Sequence, residues 1–153
     1  MSQLELKIPP LALFFLFGLL MYLAGWLTPD HAFDAMFRTT LAALMLAASA
    51  VFGIGALLHF RTAGTTVNPL QPERSSALVT TGVFRLSRNP MYLALLLALV
   101  AWGLFLSNLY ALALATLFVP YMNRFQIRPE EQAMESGFGD AFTAYCRRTR
   151  RWI

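Results

Sequence analysis

Between Met91 and Asn123 the chain reads MYLALLLALVAWGLFLSNLYALALATLFVPYMN, 33 residues without one charged side chain. As a single helix rising 1.5 Å per residue it would be about 50 Å long, far beyond the roughly 30 Å hydrocarbon core of a bilayer. It must therefore fold back. The polar pair Ser107-Asn108 lies near the middle, and a turn there leaves arms from Met91 to Leu106 and from Leu109 to Asn123, each slightly short for a comfortable span. The sequence thus predicts a tight helical hairpin whose second arm leaves the membrane through Ile127, with a kink at Pro120.

Two more apolar runs precede the hairpin. Leu11 to Leu27 is free of charge for 17 residues, at the lower edge of the roughly 17–25 needed to span hydrocarbon. Only Lys7 beside Glu5 stands ahead of it and no Ala-x-Ala site follows, so it reads as a retained transmembrane helix rather than a signal peptide. Thr28, Pro29 and Asp30 break this run. A polar loop with His31, Asp34 and Arg38 then leads to Thr39–Leu58, a second span of 20 residues. Gly53 and Gly55, with Ala47, Ala48, Ser49 and Ala50, either let another helix approach closely or simply reflect the composition of membrane helices.

From Arg61 to Arg88 the chain is polar and rich in breakers: Gly64, Pro69, Pro72, Gly82, and the pairs Thr65-Thr66 and Thr80-Thr81. This stretch cannot cross lipid. The last segment, Glu130 to Ile153, carries Met134, Phe138, Phe142 and Tyr145 at helical spacing, with interruptions expected at Gly137 and Gly139. With Arg147, Arg148, Arg150 and Arg151 beside Trp152, it reads as an amphipathic tail lying on lipid headgroups.

Composition agrees with this layout. The chain is 58% hydrophobic and 13% charged, with a mean hydropathy of +0.55, whereas soluble domains are about 25% charged. These figures exclude a disordered chain and a disulfide scaffold, and the lone Cys146 provides neither an intrachain disulfide nor a multi-cysteine metal site. The high isoelectric point, near 9.7, encodes topology rather than nucleic-acid binding. Of the 12 Lys and Arg residues, only Arg38 falls opposite the rest, so both termini, the 61–88 segment and the tail are expected in the cytosol. The expected fold class is all-α, an integral membrane protein with four membrane-embedded helices. Residues 1–60 supply the first pair; residues 61–153 supply the polar segment, the hairpin and the amphipathic tail.

No Asp, Glu, Lys or Arg lies within the three apolar runs, so the usual mark of an ion or proton pathway is missing. The candidate chemistry sits at the cytosolic face. Asn89-Pro90 opens the hairpin as an Asn cap followed by Pro at the first helical position, a helix start flanked by Arg85 and Arg88 that is also suited to an anion. At the other end of the hairpin, Arg124, Arg128, Glu130 and Glu131 cluster. Their carboxylates can accept from sugar hydroxyls, attract a cation, or serve merely as a solvated first turn after Pro129.

The stretches Leu78-Val79-Thr80-Thr81-Gly82-Val83-Phe84 and Arg88-Asn89-Pro90-Met91-Tyr92 carry a further signal. So do Glu130-Glu131 with Met134, Phe138-Gly139, Tyr145 and Arg151-Trp152. In this order and spacing they resemble the isoprenylcysteine carboxyl methyltransferase family, its bacterial branch above all. The resemblance covers about half the chain. It implies a bacterial-type inner-membrane enzyme that uses S-adenosylmethionine, with no metal, to methylate a lipid-like or small hydrophobic acceptor reached from the bilayer. It further implies that Leu78 and Val79 contact the cofactor through backbone groups, that Asn89, Pro90, Met91 and Tyr92 line its pocket, and that Glu130 binds the ribose hydroxyls. Arg124 and Glu131 are the candidate catalytic residues, Gln126 and Arg128 the candidate substrate contacts. Asn89 stands where many relatives carry His, which removes a titrating group. Gln126 stands where the prenylcysteine enzymes place an arginine, a position that Arg124 or Arg128 could cover. Two other functions fit the sequence less well: a nicotinamide-dependent membrane reductase, whose C-terminal half is similar in sterol reductases, and a scaffold whose arginine tail binds anionic membrane lipids.

Overall fold

A computed structural model describes residues 6–29, 34–64 and 77–153. Among the described residues every regular element is helical: α1 (Pro10–Leu27), α2 (Ala35–Thr62), a 3-10 turn (Gly82–Arg85), α3 (Pro90–Phe105), α4 (Leu109–Met122), a π turn (Asn123–Ile127), α5 (Arg128–Phe138) and α6 (Asp140–Arg148). Glu5, Asp30, His31, Thr65, Thr66, Pro69, Pro72 and Arg74 lie outside the described residues.

Local chemistry accounts for the helix ends. Pro10 opens α1, where its missing N–H is no loss. Thr28 closes it by donating from Oγ1 to the Ala24 carbonyl at 2.6 Å. Asp34 caps α2 by accepting from the Phe37 amide at 2.8 Å. At 28 residues α2 is longer at both ends than the apolar run Thr39–Leu58. Charged residues bound a hydrophobic run without stopping a helix. The terminators are the Asp34 cap and Gly64, which stands at φ +62°. Arg38 is accommodated by donating to the Phe105 carbonyl at 2.7 Å, closing the end of α3.

The hairpin turns where expected. Ser107 takes φ +53°, and the fully buried Asn108 accepts from the Ala111 amide at 3.0 Å and donates to Thr28 Oγ1 at 2.7 Å. One side chain therefore caps α4 and pins the turn to the end of α1. A methyl group on Gly103 would sit 2.7 Å from Leu112 Cδ2, so a larger residue at the tip would require the Leu112 side chain to shift.

Helix α3 is the hub, packing against α1, α2 and α4. Gly53 of α2 faces Ala94, and Ser49 Oγ donates to the Ala94 carbonyl at 2.8 Å. Small residues thus do bring α2 close to α3, although Ala47 and Ala50 lie on the exposed face. On the other flank Leu13 and Met21 of α1 bury against Leu99, Ala115 and Phe118. Helices α1 and α2 are long and apolar enough to cross a membrane. Their outward faces present Phe15, Leu19, Leu44, Val51 and Ile54, a surface that lipid tolerates and water does not.

The helical ladder of the second arm runs on through Ile127. Pro120 lies inside α4, and just beyond it the ladder widens into the π turn and continues into α5. Pro129 has no N–H to give the Phe125 carbonyl, and the Leu6 amide bonds that carbonyl instead at 3.1 Å. The amphipathic stripe of the tail also differs from expectation. Met134, Phe138, Phe142 and Tyr145 pack on Ala56, Phe60, Val83 and Phe84, so protein rather than headgroups covers it. Gly139, at φ +50°, makes the break between α5 and α6, while Gly137 remains within α5.

Candidate functional site

Three stretches converge where α3 begins. The first is the segment before α3. Gly82 stands at φ +58°, and a Cβ there would lie 1.8 Å from His59 Nε2, so glycine alone lets this turn seat on the end of α2. Leu78 and Val79 are thereby held, half-buried, against the cluster of Ala56, Phe84, Phe142 and Tyr145. The Tyr145 hydroxyl donates to the Phe84 carbonyl at 2.6 Å.

The second stretch is the start of α3 with the π turn and α5. Tyr92 is buried and donates from its hydroxyl to Glu130 Oε1; Gln126 Nε2 donates to the same oxygen at 2.6 Å. Gln126 belongs to the π turn and Glu130 follows it in the first turn of α5, and π turns of this kind are frequent at functional sites. Gln126, expected to face substrate, is instead buried in this cluster. Burial raises the Glu130 carboxyl to about 7, and the neighbouring Glu131 charge adds to that rise, while the bonds from Tyr92 and Gln126 oppose it. Glu130 Oε2 accepts no hydrogen bond among the described residues.

The third stretch is the C-terminal strap, Thr149–Trp152. The Arg150 carbonyl accepts from the Arg88 amide at 2.9 Å, and the Arg151 carbonyl accepts from Ser87 Oγ at 3.1 Å and from Asn89 Nδ2 at 3.0 Å. Trp152 Nε1 donates to Asn123 Oδ1 at 3.0 Å. Beneath the strap, Glu131 receives Arg88 Nη2 at 2.6 Å and Arg151 through Nε and Nη2 at 3.0 and 2.6 Å. Burial alone would raise the Glu131 carboxyl, but the bonds and charges of Arg151 and Arg88 outweigh it and hold the group below the usual carboxylate range.

Several sequence expectations change in this light. Asn89 occupies the cap position but makes no capping bond, and its Nδ2 donates to the strap. Glu131, expected to be catalytic, is engaged by two arginines. Arg124 and Arg128 are exposed, with the Arg124 guanidinium 5.6 Å from the centre of the Phe125 ring. Pro90 is buried and Met91 half-buried at the helix start. The bonds of Ser87 and Asn123 were not foreseen, and adjacency in sequence carries no hint of either.

A model of the phospholipid methyltransferase family matches residues 37–141, a stretch that holds most of α2, the hairpin, the Tyr92–Gln126–Glu130 cluster and α5. The chain belongs to the phospholipid methyltransferase family. Family membership implies membrane methyltransferase activity, in a family whose members generally use S-adenosylmethionine. An uncharacterized protein of Haemophilus influenzae is 46% identical over 63 residues, which is 41% of this chain and all of that protein. No solved structure matches. The strap lies beyond the matched residues.

The residues present fit such a methyl donor. The carboxylate of Glu130 retains one oxygen for a diol, and the first-turn amides of Met91 and Tyr92, which Asn89 leaves uncapped, suit a carboxylate. Among the described residues there is no group of three or more His, Cys, Asp or Glu able to hold a metal ion.

Proposed function

We propose that this protein transfers the methyl group of S-adenosylmethionine to a lipid-like or small hydrophobic acceptor at the cytosolic face of a bacterial-type inner membrane. It would do so within the isoprenylcysteine carboxyl methyltransferase branch of the phospholipid methyltransferase family. All four of the helices α1 to α4 are embedded in the membrane, and both termini are cytosolic. The observation that carries the proposal is the Glu130 carboxylate, held through one oxygen by Tyr92 and Gln126 and left open at the other, beside the uncapped start of α3.

In this function the donor supplies an activated methyl group, and the chain positions it. Glu130 accepts from the ribose hydroxyls, the amides of Met91 and Tyr92 hold the carboxylate, and Leu78, Val79, Asn89 and Pro90 line the pocket. Arg124 and Arg128, exposed where the second arm leaves the lipid, attract an anionic group on the acceptor. Rate enhancement comes mostly from holding two reactants in line in a water-poor site, where effective molarity lowers the barrier by about 7–11 kcal/mol at best.

Calorimetric titration of the detergent-purified protein with S-adenosylhomocysteine and with NADPH tests this assignment. S-adenosylhomocysteine is expected to bind and NADPH is not. Binding of NADPH alone would instead make the protein a reductase, and binding of neither would favour the lipid-binding scaffold.

A further inference from the structure

Asn89 is in the cap position of α3, and asparagine is among the side chains that cap helices best. Its side chain nevertheless makes no cap, donating through Nδ2 to the Arg151 carbonyl. That carbonyl is held in place from two directions. Ser87 Oγ donates to it from the α3 side. From the other side, the Arg151 guanidinium binds both oxygens of Glu131, which also takes Arg88. Arg88 is in turn bonded through its amide to Arg150 and through Nη1 to the carbonyl of Cys146. Among the described residues Glu131 is thus the acid that clamps the strap to the base of α3.

We propose that Glu131, acting through Arg151, is a positioning residue for the methyl-donor site: it holds Asn89 turned away from α3 so that the amides of Met91 and Tyr92 stay open to the donor's carboxylate. This inference rests on the S-adenosylmethionine site proposed above. The amides a ligand carboxylate would use are those a capping asparagine would occupy, so cap and ligand compete for the same donors. A strap that takes up the Asn89 side chain removes the competitor before the ligand arrives. Glu130, with an oxygen open on α5, engages the far end of the same ligand, so the two contacts are separable.

The test compares S-adenosylhomocysteine with its decarboxylated analogue, titrated into the full chain in detergent. In Glu131→Gln the strap loosens and Asn89 turns to cap α3. Affinity for S-adenosylhomocysteine should fall about five-fold, the equivalent of one N-cap bond, while the analogue changes little. Loss of a negative charge beside the site would by itself strengthen carboxylate binding, so a fall is not electrostatic in origin. Adding Asn89→Ala to Glu131→Gln removes the competitor and should restore most of the lost affinity. Unchanged or higher affinity in Glu131→Gln, or a double variant no better than the single one, overturns the inference. If Glu131→Gln does not fold, Asn89→Ser serves instead. A neutral N-cap side chain without the amide donor for the Arg151 carbonyl, it caps α3 and should weaken S-adenosylhomocysteine more than the analogue, and equal losses refute the idea. A wild-type protein that binds neither compound refutes the methyltransferase assignment itself, a separate outcome.

Discussion

Replacing Glu130 with Gln should move stability and ligand affinity in opposite directions. The folded carboxyl titrates near 7, raised by burial from 4.5. A carboxyl whose pKa rises on folding favours the native state below its unfolded value, and that advantage disappears as pH climbs through the folded value. At pH 8 the ionised, partly buried group therefore opposes folding, by about 3 kcal/mol at most, since each pH unit is worth 1.36 kcal/mol. Glutamine has nearly the same shape, and its Oε1 can still accept from Tyr92 and Gln126, so relief of the charge should dominate. The variant is expected to be more stable than the wild type by about 1–2 kcal/mol at pH 8, after discounting for partial exposure, and no more stable at pH 4. Its affinity for S-adenosylhomocysteine should drop about ten-fold or more, because a charge-assisted bond worth roughly 1.5–3 kcal/mol becomes a neutral one. Wild-type affinity should likewise weaken as pH falls below about 7, where the carboxyl takes up its proton, and the pH dependence should vanish in Glu130→Gln. Thermal unfolding in detergent at pH 4 and pH 8, with parallel titrations, reads both effects. A variant that is less stable at pH 8 and binds with undiminished affinity would mean that Glu130 is only a first-turn carboxylate interacting with the helix dipole.

Gly82→Ala should destabilise the protein by about 2 kcal/mol or more, since the new methyl group meets His59 in a left-handed turn. His59→Ala should recover only part of that loss, because the unfavourable φ remains; thermal midpoints of the two variants and their combination decide. Asn108→Ala removes a cap and the bond to Thr28 at once. It should cost about 2 kcal/mol and make the chain more sensitive to proteolysis at the Thr28–Pro29 loop. Reporter fusions at Ile153 and within 28–38 should give opposite signals if both termini are cytosolic, and a periplasmic signal from Ile153 would remove the methyltransferase from its donor.

The helical hairpin could be read from composition and length alone, because a charge-free run of 33 residues exceeds what a bilayer can hold and Ser107-Asn108 offers the obvious turn. The same local logic located α1 and α2, though not their ends, since caps and positive-φ glycines stop helices where hydropathy only fades. The sequence also carried the Glu130 and Asn89-Pro90 signals, as residue types suited to a diol and an anion. It could not say which partners those residues would choose. Periodicity shows that Met134, Phe138, Phe142 and Tyr145 form an apolar face, but lipid and protein are equally apolar, and only the folded chain shows that Phe84 and Ala56 cover it. The choice that most affects the site belongs to Asn89, which forgoes the amides beside it for a carbonyl 62 residues away. A local rule favours the cap; the ion pairs of Glu131 with Arg88 and Arg151 bring that carbonyl within reach, and contacts between segments so distant in sequence exist only once the chain has closed on itself.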